Sequence, residues 1–238
     1  MTSALLSDKA TTFLNQVLES NPRIAAFDCD GTLWSGDSGA DFFYWEIAQG
    51  LIPPVVADWA RRRYDAYHAG TVDELTICGE MVTIHNGIPE RAIREAARAF
   101  FVEVVAPRIF PEMLELARQL EARGVELWAV SSTNNWVVEE GAKRFGIPAE
   151  RVLAACVAIE DGVATDRLTR VPTGPLKADA IREVVGRPVD AVFGNSVHDL
   201  AMLEIARRPF AINPNADLAR AAAERGWTVY WPDGTGPK

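Results

Sequence analysis

After Pro107 the chain alternates short apolar runs with amphipathic stretches of about ten residues, and this rhythm limits the fold more than any other feature. The apolar runs at 125–130, 151–157, 189–193, 210–212 and 227–230 read as strands. The stretches at 111–123, 136–145, 177–185, 199–206 and 216–225 read as helices, two of them stopped by Gly124 and Gly146. Consecutive strands with a helix between them cannot close as hairpins, so they run parallel through crossovers. An earlier apolar run at 24–27, after an amphipathic helix expected at 4–19, adds one strand more. The expectation is an α/β fold built on a parallel sheet.

Between 40 and 104 the rhythm changes. Breakers at Gly50–Pro54, Ala69-Gly70 and Asn86–Pro89 divide this stretch into helices at 40–49, 54–68, 72–85 and 89–104, with no strand candidate among them. Thr71 and Glu74 form a capping-box pattern at the third start. The chain therefore divides into a core, 1–37 and 106–238, and an all-helical insertion, 38–105.

Composition narrows the function classes. Of 238 residues, 48% are hydrophobic and 24% charged, which suits a globular domain and excludes a disordered tail or a disulfide miniprotein. Lys plus Arg is 24 and Asp plus Glu 33, a net charge of −9 that argues against nucleic acid and anionic membranes as partners. Arg61-Arg62-Arg63 reads as a solvated helix face. Cys29, Cys78 and Cys156 form no paired spacing, so neither a disulfide framework nor a structural zinc site is expected. No basic leader with an apolar run and no long apolar span is present, and the cytoplasm is the expected location.

In open parallel sheets, ligands gather beyond the carboxyl ends of the strands. Asp28-Cys29-Asp30-Gly31-Thr32 follows the first strand, Ser131-Ser132-Thr133-Asn134 the strand at 125–130, and Gly194 to Asp199 the strand at 189–193. A carboxylate such as Asp28 can attack phosphorus, and Asp30 can protonate the leaving alkoxide and then take a proton from water. Lys177 offers a charge, Ser131 a hydroxyl and Ser132 a backbone N–H to the phosphoryl oxygens, while the amides around Gly31 and Thr32 can approach an anion. The Asp28 carboxylate, the Asp30 carbonyl, Asn195 and Asp199 are candidate Mg²⁺ ligands. Each feature also has a plainer reading: Asp-x-Asp-Gly as a turn, Ser131 as a helix cap, Lys177 as a surface charge. Lysine is scarce here, four against twenty arginines, which gives Lys177 some weight.

Phe27-Asp-Cys-Asp-Gly-Thr-Leu33 resembles the first motif of the haloacid-dehalogenase-like phosphatases. Val130-Ser131 is similar to their second motif, Lys177 in Gly-Pro-Leu-Lys-Ala-Asp to their third, and Gly194-Asn-Ser-Val-His-Asp199 to their fourth. The stretch from Ala211 to Trp227 resembles the phosphoserine-phosphatase-like branch. The resemblance implies a Rossmann-like core, a required Mg²⁺, an aspartyl-phosphate intermediate and a cap inserted after the first motif. It implies phosphoryl transfer rather than dehalogenation, because dehalogenases lack the second aspartate. Asn195 departs from the usual Gly-Asp and costs one negative charge, which predicts weaker metal binding. His198 reads as packing or as an outer neighbour of the metal, since neutral imidazole suits Mg²⁺ poorly.

Asp37 stands where the phosphoserine phosphatases carry an acid that reads the substrate's amino group. It is therefore a candidate reader of a cationic leaving group, or else a solvated loop carboxylate. Residues 71–90 contain no Lys or Arg, which counts against the carboxylate of phosphoserine. Trp34, Phe42, Phe43, Tyr44, Trp45, Trp59, Tyr64, Tyr67 and Trp136 are either core or, in part, a wall for an ammonium group such as choline's. The expected function is an Mg²⁺-dependent phosphatase of small phosphomonoesters. Phosphoserine phosphatase, a phosphotransferase or mutase, and a catalytically weakened phosphate-binding protein are the alternatives. The expected partner is a small phosphorylated metabolite, and the expected state a monomer or homodimer.

Overall fold

The computed structural model describes residues 6–236, so Ala4 and Leu5, the expected start of the first helix, lie outside the described residues. That helix, α1, runs Asp8–Glu19, with Ser7 accepting from Ala10 N as its cap. The seven strands are β1 (Ile24–Phe27), β2 (Glu126–Asn134), β3 (Val152–Glu160), β4 (Val163–Arg170), β5 (Ala191–Gly194), β6 (Arg208–Ile212) and β7 (Thr228–Tyr230). They form one sheet in the order β4-β3-β2-β1-β5-β6-β7. All pairings are parallel except β3 with β4.

β1 is central and buried along its whole length, as four apolar residues covered on both faces require. The alternation of side chains across the pleat divides its packing. Ala25 and Phe27 face the cluster that holds α1, α6 (Pro111–Ala122) and α7 (Asn135–Ala142). Ile24 and Ala26 face the cluster that holds α8 (Pro175–Val185), α9 (Leu200–Glu204) and α10 (Ala216–Arg225). Phe27 is in register with Ala129 of β2 and Phe193 of β5, so the chain leaves all three strands at one edge. The strand order reverses direction at β1, which makes this edge the switch point of the sheet.

β4 is a strand that the sequence reading leaves out, and it makes the sheet mixed rather than wholly parallel. β3 runs on past 157, turns at Asp161-Gly162 with φ of 49° and 78°, and returns as β4. Asp-Gly favours such a turn because both central residues need positive φ. β4 reads as polar, Val-Ala-Thr-Asp-Arg-Leu-Thr-Arg, because Ala164 alone in it is buried.

The helical insertion has four α-helices, α2 (Ser38–Ala48), α3 (Pro54–His68), α4 (Glu74–Thr83) and α5 (Glu90–Phe100). The expected fourth helix, to 104, instead changes winding to a π-helical turn at Phe101–Val105. The insertion has a small apolar centre of its own, including Phe43, Ala60, Tyr64 and Ile77. It sits on the β3–β4 hairpin: Gly87 N donates to Ala164 O at 2.8 Å, Ala164 N to Ile88 O at 3.0 Å, and Glu90 N to Gly162 O at 2.9 Å.

Candidate active site

The Asp28 N–H donates to Phe193 O at 2.9 Å, which carries the β1–β5 ladder one residue beyond the strand. The chain then coils tightly, with Thr32 N and Leu33 N both bonded to Cys29 O. Gly31 takes φ 77°, and a Cβ there would lie 1.9 Å from Asn195 Nδ2, so only glycine lets this loop and the Asn195 amide meet.

Asp28 is 4% exposed. Its Oδ1 accepts from Lys177 Nζ at 2.7 Å and its Oδ2 from Thr32 Oγ1 at 2.9 Å. The same Nζ lies 2.7 Å from Asp199 Oδ1. Asp199 Oδ2 accepts from the N–H groups of Asn195 and Ser196, at 2.9 and 3.0 Å. Burial, then the charge of Asp199, raises the Asp28 pKa to about 7 against the pull of Lys177. Burial disfavours the Lys177 ammonium, yet Asp199 and Asp28 outweigh it and raise its pKa.

Asp30 is held quite differently. Its Oδ1 accepts from Trp34 Nε1 at 2.7 Å and Ser38 N at 2.8 Å, and its Oδ2 from Thr133 Oγ1 at 2.9 Å. Burial, then the charge of Asp37, raises its pKa to about 6. All its donors are neutral, so this carboxylate lacks the fixed positive charge that holds Asp28.

The structure brings Asp28, Thr32, Lys177 and Asp199 into direct contact and places Asp30 at the foot of α2. Ser131 is buried on β2, the strand paired with β1, and its Oγ accepts from Thr133 N at 3.2 Å. Ser131 to Asn134 belong to β2 itself rather than following it, with the register to β3 shifting between Ser131 and Asn134. Thr32 serves Asp28 through its side chain. Asp37 caps α2 through Ala40 N at 2.9 Å. His198 pairs with Glu74 of α4, a contact between core and insertion that raises its pKa.

Asp37, Ser132, Thr133 and Asn134 also line a cavity of about 120 Å³ between the insertion and the end of β2. Phe42, Phe43, Tyr64 and Tyr67 wall it, and Glu46 and Glu74 lie in its lining. Trp34 and Trp136 are buried core instead, and Tyr44 and Trp59 are exposed. Sequence reasoning missed Thr133 as a partner of Asp30 and Glu46 as a cavity residue. Nothing in the local sequence marks either, since Thr133 is 103 residues from Asp30.

Among the described residues no three His, Cys, Asp or Glu side chains converge as a metal cage. The hard oxygens at this edge nevertheless fit Mg²⁺, which keeps several waters and needs only one or two carboxylates. Fully ionised, three carboxylates (Asp28, Asp30, Asp199) less one ammonium (Lys177) leave two negative charges in excess, which one divalent cation balances. The Asp28 carboxylate, the Asp30 carbonyl and the Asn195 amide beside Gly31 are the groups suited to hold it. Asp199 is the fourth candidate; its two oxygens are engaged by Lys177 and by backbone N–H groups, as those of Asp28 are by Lys177 and Thr32.

Residues 25–204 match the model of the haloacid dehalogenase-like hydrolases, and the chain belongs to that family. A Neisseria meningitidis relative named histidinol-phosphatase is 25% identical over 219 residues, covering 87% of this chain and 97% of that one. A Streptomyces azureus protein named inhibition of morphological differentiation protein is 31% identical over 143 residues, 58% of this chain. The match spans 51% of that relative's own length. A Bordetella pertussis protein of unknown function shares the fold, with a TM-score of 0.73 at 24% identity over 87% of this chain and 97% of that one. A substrate-bound phosphoserine phosphatase shares it with a TM-score of 0.57 at 16% identity over 88% of this chain and 92% of that one.

Proposed function

We propose that the chain is an Mg²⁺-dependent phosphatase of small phosphomonoesters that works through an aspartyl-phosphate on Asp28. The observation that carries this reading is the unequal setting of two aspartates two residues apart. Asp28 is ion-paired to Lys177 at 2.7 Å, which favours its charged form, whereas Asp30 meets neutral donors only, the setting of a carboxyl that can hold and pass a proton.

Asp28 attacks phosphorus, and the bond from phosphorus to the alcohol oxygen breaks. Protonated Asp30 gives its proton to the departing alkoxide. Asp30 then takes a proton from water as that water attacks the aspartyl-phosphate, which frees inorganic phosphate and restores Asp28. Lys177, the Ser131 hydroxyl and the Ser132 N–H hold the phosphoryl oxygens in place. Mg²⁺, when bound, offsets the charge that the phosphoryl group brings. Residues 38–105 act as the cap that excludes bulk water and selects the alcohol.

The cavity lining supports a cationic leaving group. It contains Asp37, Glu46 and Glu74 and no Lys, Arg or His among the described residues; Glu46 and Glu74 pair with His85 and His198 behind the wall, so Asp37 is the acid that carries the charge. That setting disfavours the carboxylate of phosphoserine and suits an amine against aromatic walls. L-Histidinol phosphate is the first substrate to try, given the name of the Neisseria relative. The three unpaired thiols suit a reducing cytoplasm.

The test is release of inorganic phosphate, with and without Mg²⁺ and with no added acceptor. The panel is L-histidinol phosphate, phosphoethanolamine, phosphocholine and phosphoserine. Mg²⁺-dependent release from the amine esters, lost in Asp28→Asn, is expected. Release from no ester, or unchanged release in Asp28→Asn, overturns the reading.

A further inference from the structure

Glu46 and His85 form a buried acid–imidazole pair that no step above uses. Both are within 1% of complete burial, and His85 Nε2 lies 2.7 Å from Glu46 Oε2. His85 Nδ1 lies 3.0 Å from the Val82 carbonyl. A carbonyl oxygen only accepts, so Nδ1 carries a hydrogen and donates. Nε2 therefore faces Glu46 either as an N–H of imidazolium or as the acceptor of a protonated carboxyl. In both states the pair holds one proton on its line and has no net charge. Phe42 and Trp136 pack against the imidazole and fix its plane.

The other oxygen, Glu46 Oε1, makes no hydrogen bond among the described residues and is not one of the fully enclosed atoms left without a partner, so it keeps some access. Glu46 is part of the cavity lining. A pair that only held α2 against the end of α4 would have both oxygens bonded within the fold. One oxygen is instead left for an occupant of the cavity.

Its position along α2 sets how far that occupant reaches. Gly39, Phe42, Phe43 and Glu46 lie on the cavity side of α2 at helical spacing. Gly39 abuts Thr133, where a Cβ would lie 2.8 Å from the Oγ1 that donates to Asp30. From Gly39 to Glu46 the helix rises ~10 Å. Glu46 therefore stands about two turns beyond the acid and base that meet the ester oxygen, while Asp37 stands beside them at the helix start.

We infer that Glu46, positioned by His85, accepts a hydrogen bond from a second nitrogen donor at the far end of the leaving alcohol. The substrate class is thus the phosphate ester of an amino alcohol that carries a further N–H remote from the ester oxygen, as on an azole ring or a second amine. This rests on the phosphatase reading above. Asp37 takes the near amine, and the aromatic walls cover the apolar span between the two donors.

The experiment compares kcat/KM for L-histidinol phosphate, which has a distal N–H, with that for phosphoethanolamine, which has only a near amine. p-Nitrophenyl phosphate hydrolysis reports on catalysis itself. The wild-type protein should favour the longer ester by at least ~10-fold, chiefly through KM. Glu46→Leu should cut that ratio by ~10-fold or more, and Glu46→Gln, which keeps an acceptor, should retain much of it. A folded Glu46→Leu with an unchanged ratio makes the pair structural and overturns the inference. If Glu46→Leu does not fold, the wild-type protein still decides: L-histidinol should inhibit p-nitrophenyl phosphate hydrolysis where equal ethanolamine does not. Equal inhibition by the two overturns the inference, as does hydrolysis of p-nitrophenyl phosphate with none of the longer ester. Failure on all three esters removes the phosphatase reading, and the inference with it.

Discussion

Asp28 and Asp30 are separated by one residue, yet they have different partners: Lys177 and Thr32 for Asp28, Trp34, Ser38 and Thr133 for Asp30. The Asp30 arrangement has a consequence for stability. Its pKa rises from an ordinary 3.8 to about 6, so the fold favours the protonated carboxyl. The resulting stabilisation is complete below pH 3.8 and is lost as pH rises through about 6. Metal-free wild-type protein should therefore lose about 2 kcal/mol relative to Asp30→Asn between pH 4 and 7.5. Calorimetric melting of both proteins in chelator checks this, and parallel Tm profiles would refute it. Asn195 gives a second prediction at this scale. Its amide lies against the Gly31 loop and supplies oxygen without charge, so Asn195→Asp should lower the Mg²⁺ concentration needed for half-maximal activity. An unchanged Mg²⁺ titration means that Asn195 is not a metal ligand.

At the scale of elements, close approaches decide which substitutions the molecule accepts. On α7, a Cβ at Gly141 would lie 2.6 Å from the Trp34 ring and 2.9 Å from Phe101, both buried and packed edge to face. Gly141→Ala gains ~1 kcal/mol of helix propensity but forces an overpacked core costing ~1–3 kcal/mol. It should lower Tm by a few degrees and, because Trp34 holds Asp30, lower kcat as well. Gly79→Ala on α4 meets the flexible end of the exposed Leu168 side chain at 2.9 Å, with Val171 at an ordinary 3.8 Å, so the propensity gain should leave Tm unchanged or slightly higher. Thermal melts of both variants test the contrast. The sequence makes elements legible where one local rule governs them. The helices of the insertion show through their breakers, and the candidate edge shows because short apolar runs lead into Asp28, Ser131 and Gly194. β4 was hidden, since an edge strand with one buried residue has no apolar rhythm, although Asp161-Gly162 was a hairpin signal. The clasp of Thr133 on Asp30 and the Glu46–His85 pair were hidden for another reason: each joins residues that only the packing of the insertion onto the sheet brings together.

For the whole molecule, the hairpin that the sequence concealed is what seats the insertion, and the seat places a cavity that carries the charge of Asp37 over an acidic edge. Core and insertion meet again through Glu74 and His198, and through Arg108 with Asp41 at 2.5 Å. Asp28 and Asp199 share one ammonium at the sheet edge while Asp30 beside them has none, and a protein with a net charge of −9 has no distant surplus of positive charge to relieve them. A divalent cation that binds only the folded state should therefore stabilise the whole domain. At a concentration 100-fold above its dissociation constant the gain is about 2.7 kcal/mol, which for a chain of this size raises Tm by ~5–10 °C. The measurement is differential scanning calorimetry of the wild-type protein in chelator and in saturating Mg²⁺, repeated for Asp28→Asn. The wild type should melt higher with Mg²⁺, and Asp28→Asn, which gives up a carboxylate of the proposed ligand set, should respond weakly. Equal shifts in the two proteins would place the cation elsewhere. No shift in the wild type would mean that Lys177 alone balances the edge, and the Mg²⁺ requirement would then have to come from the substrate's phosphate rather than from the protein.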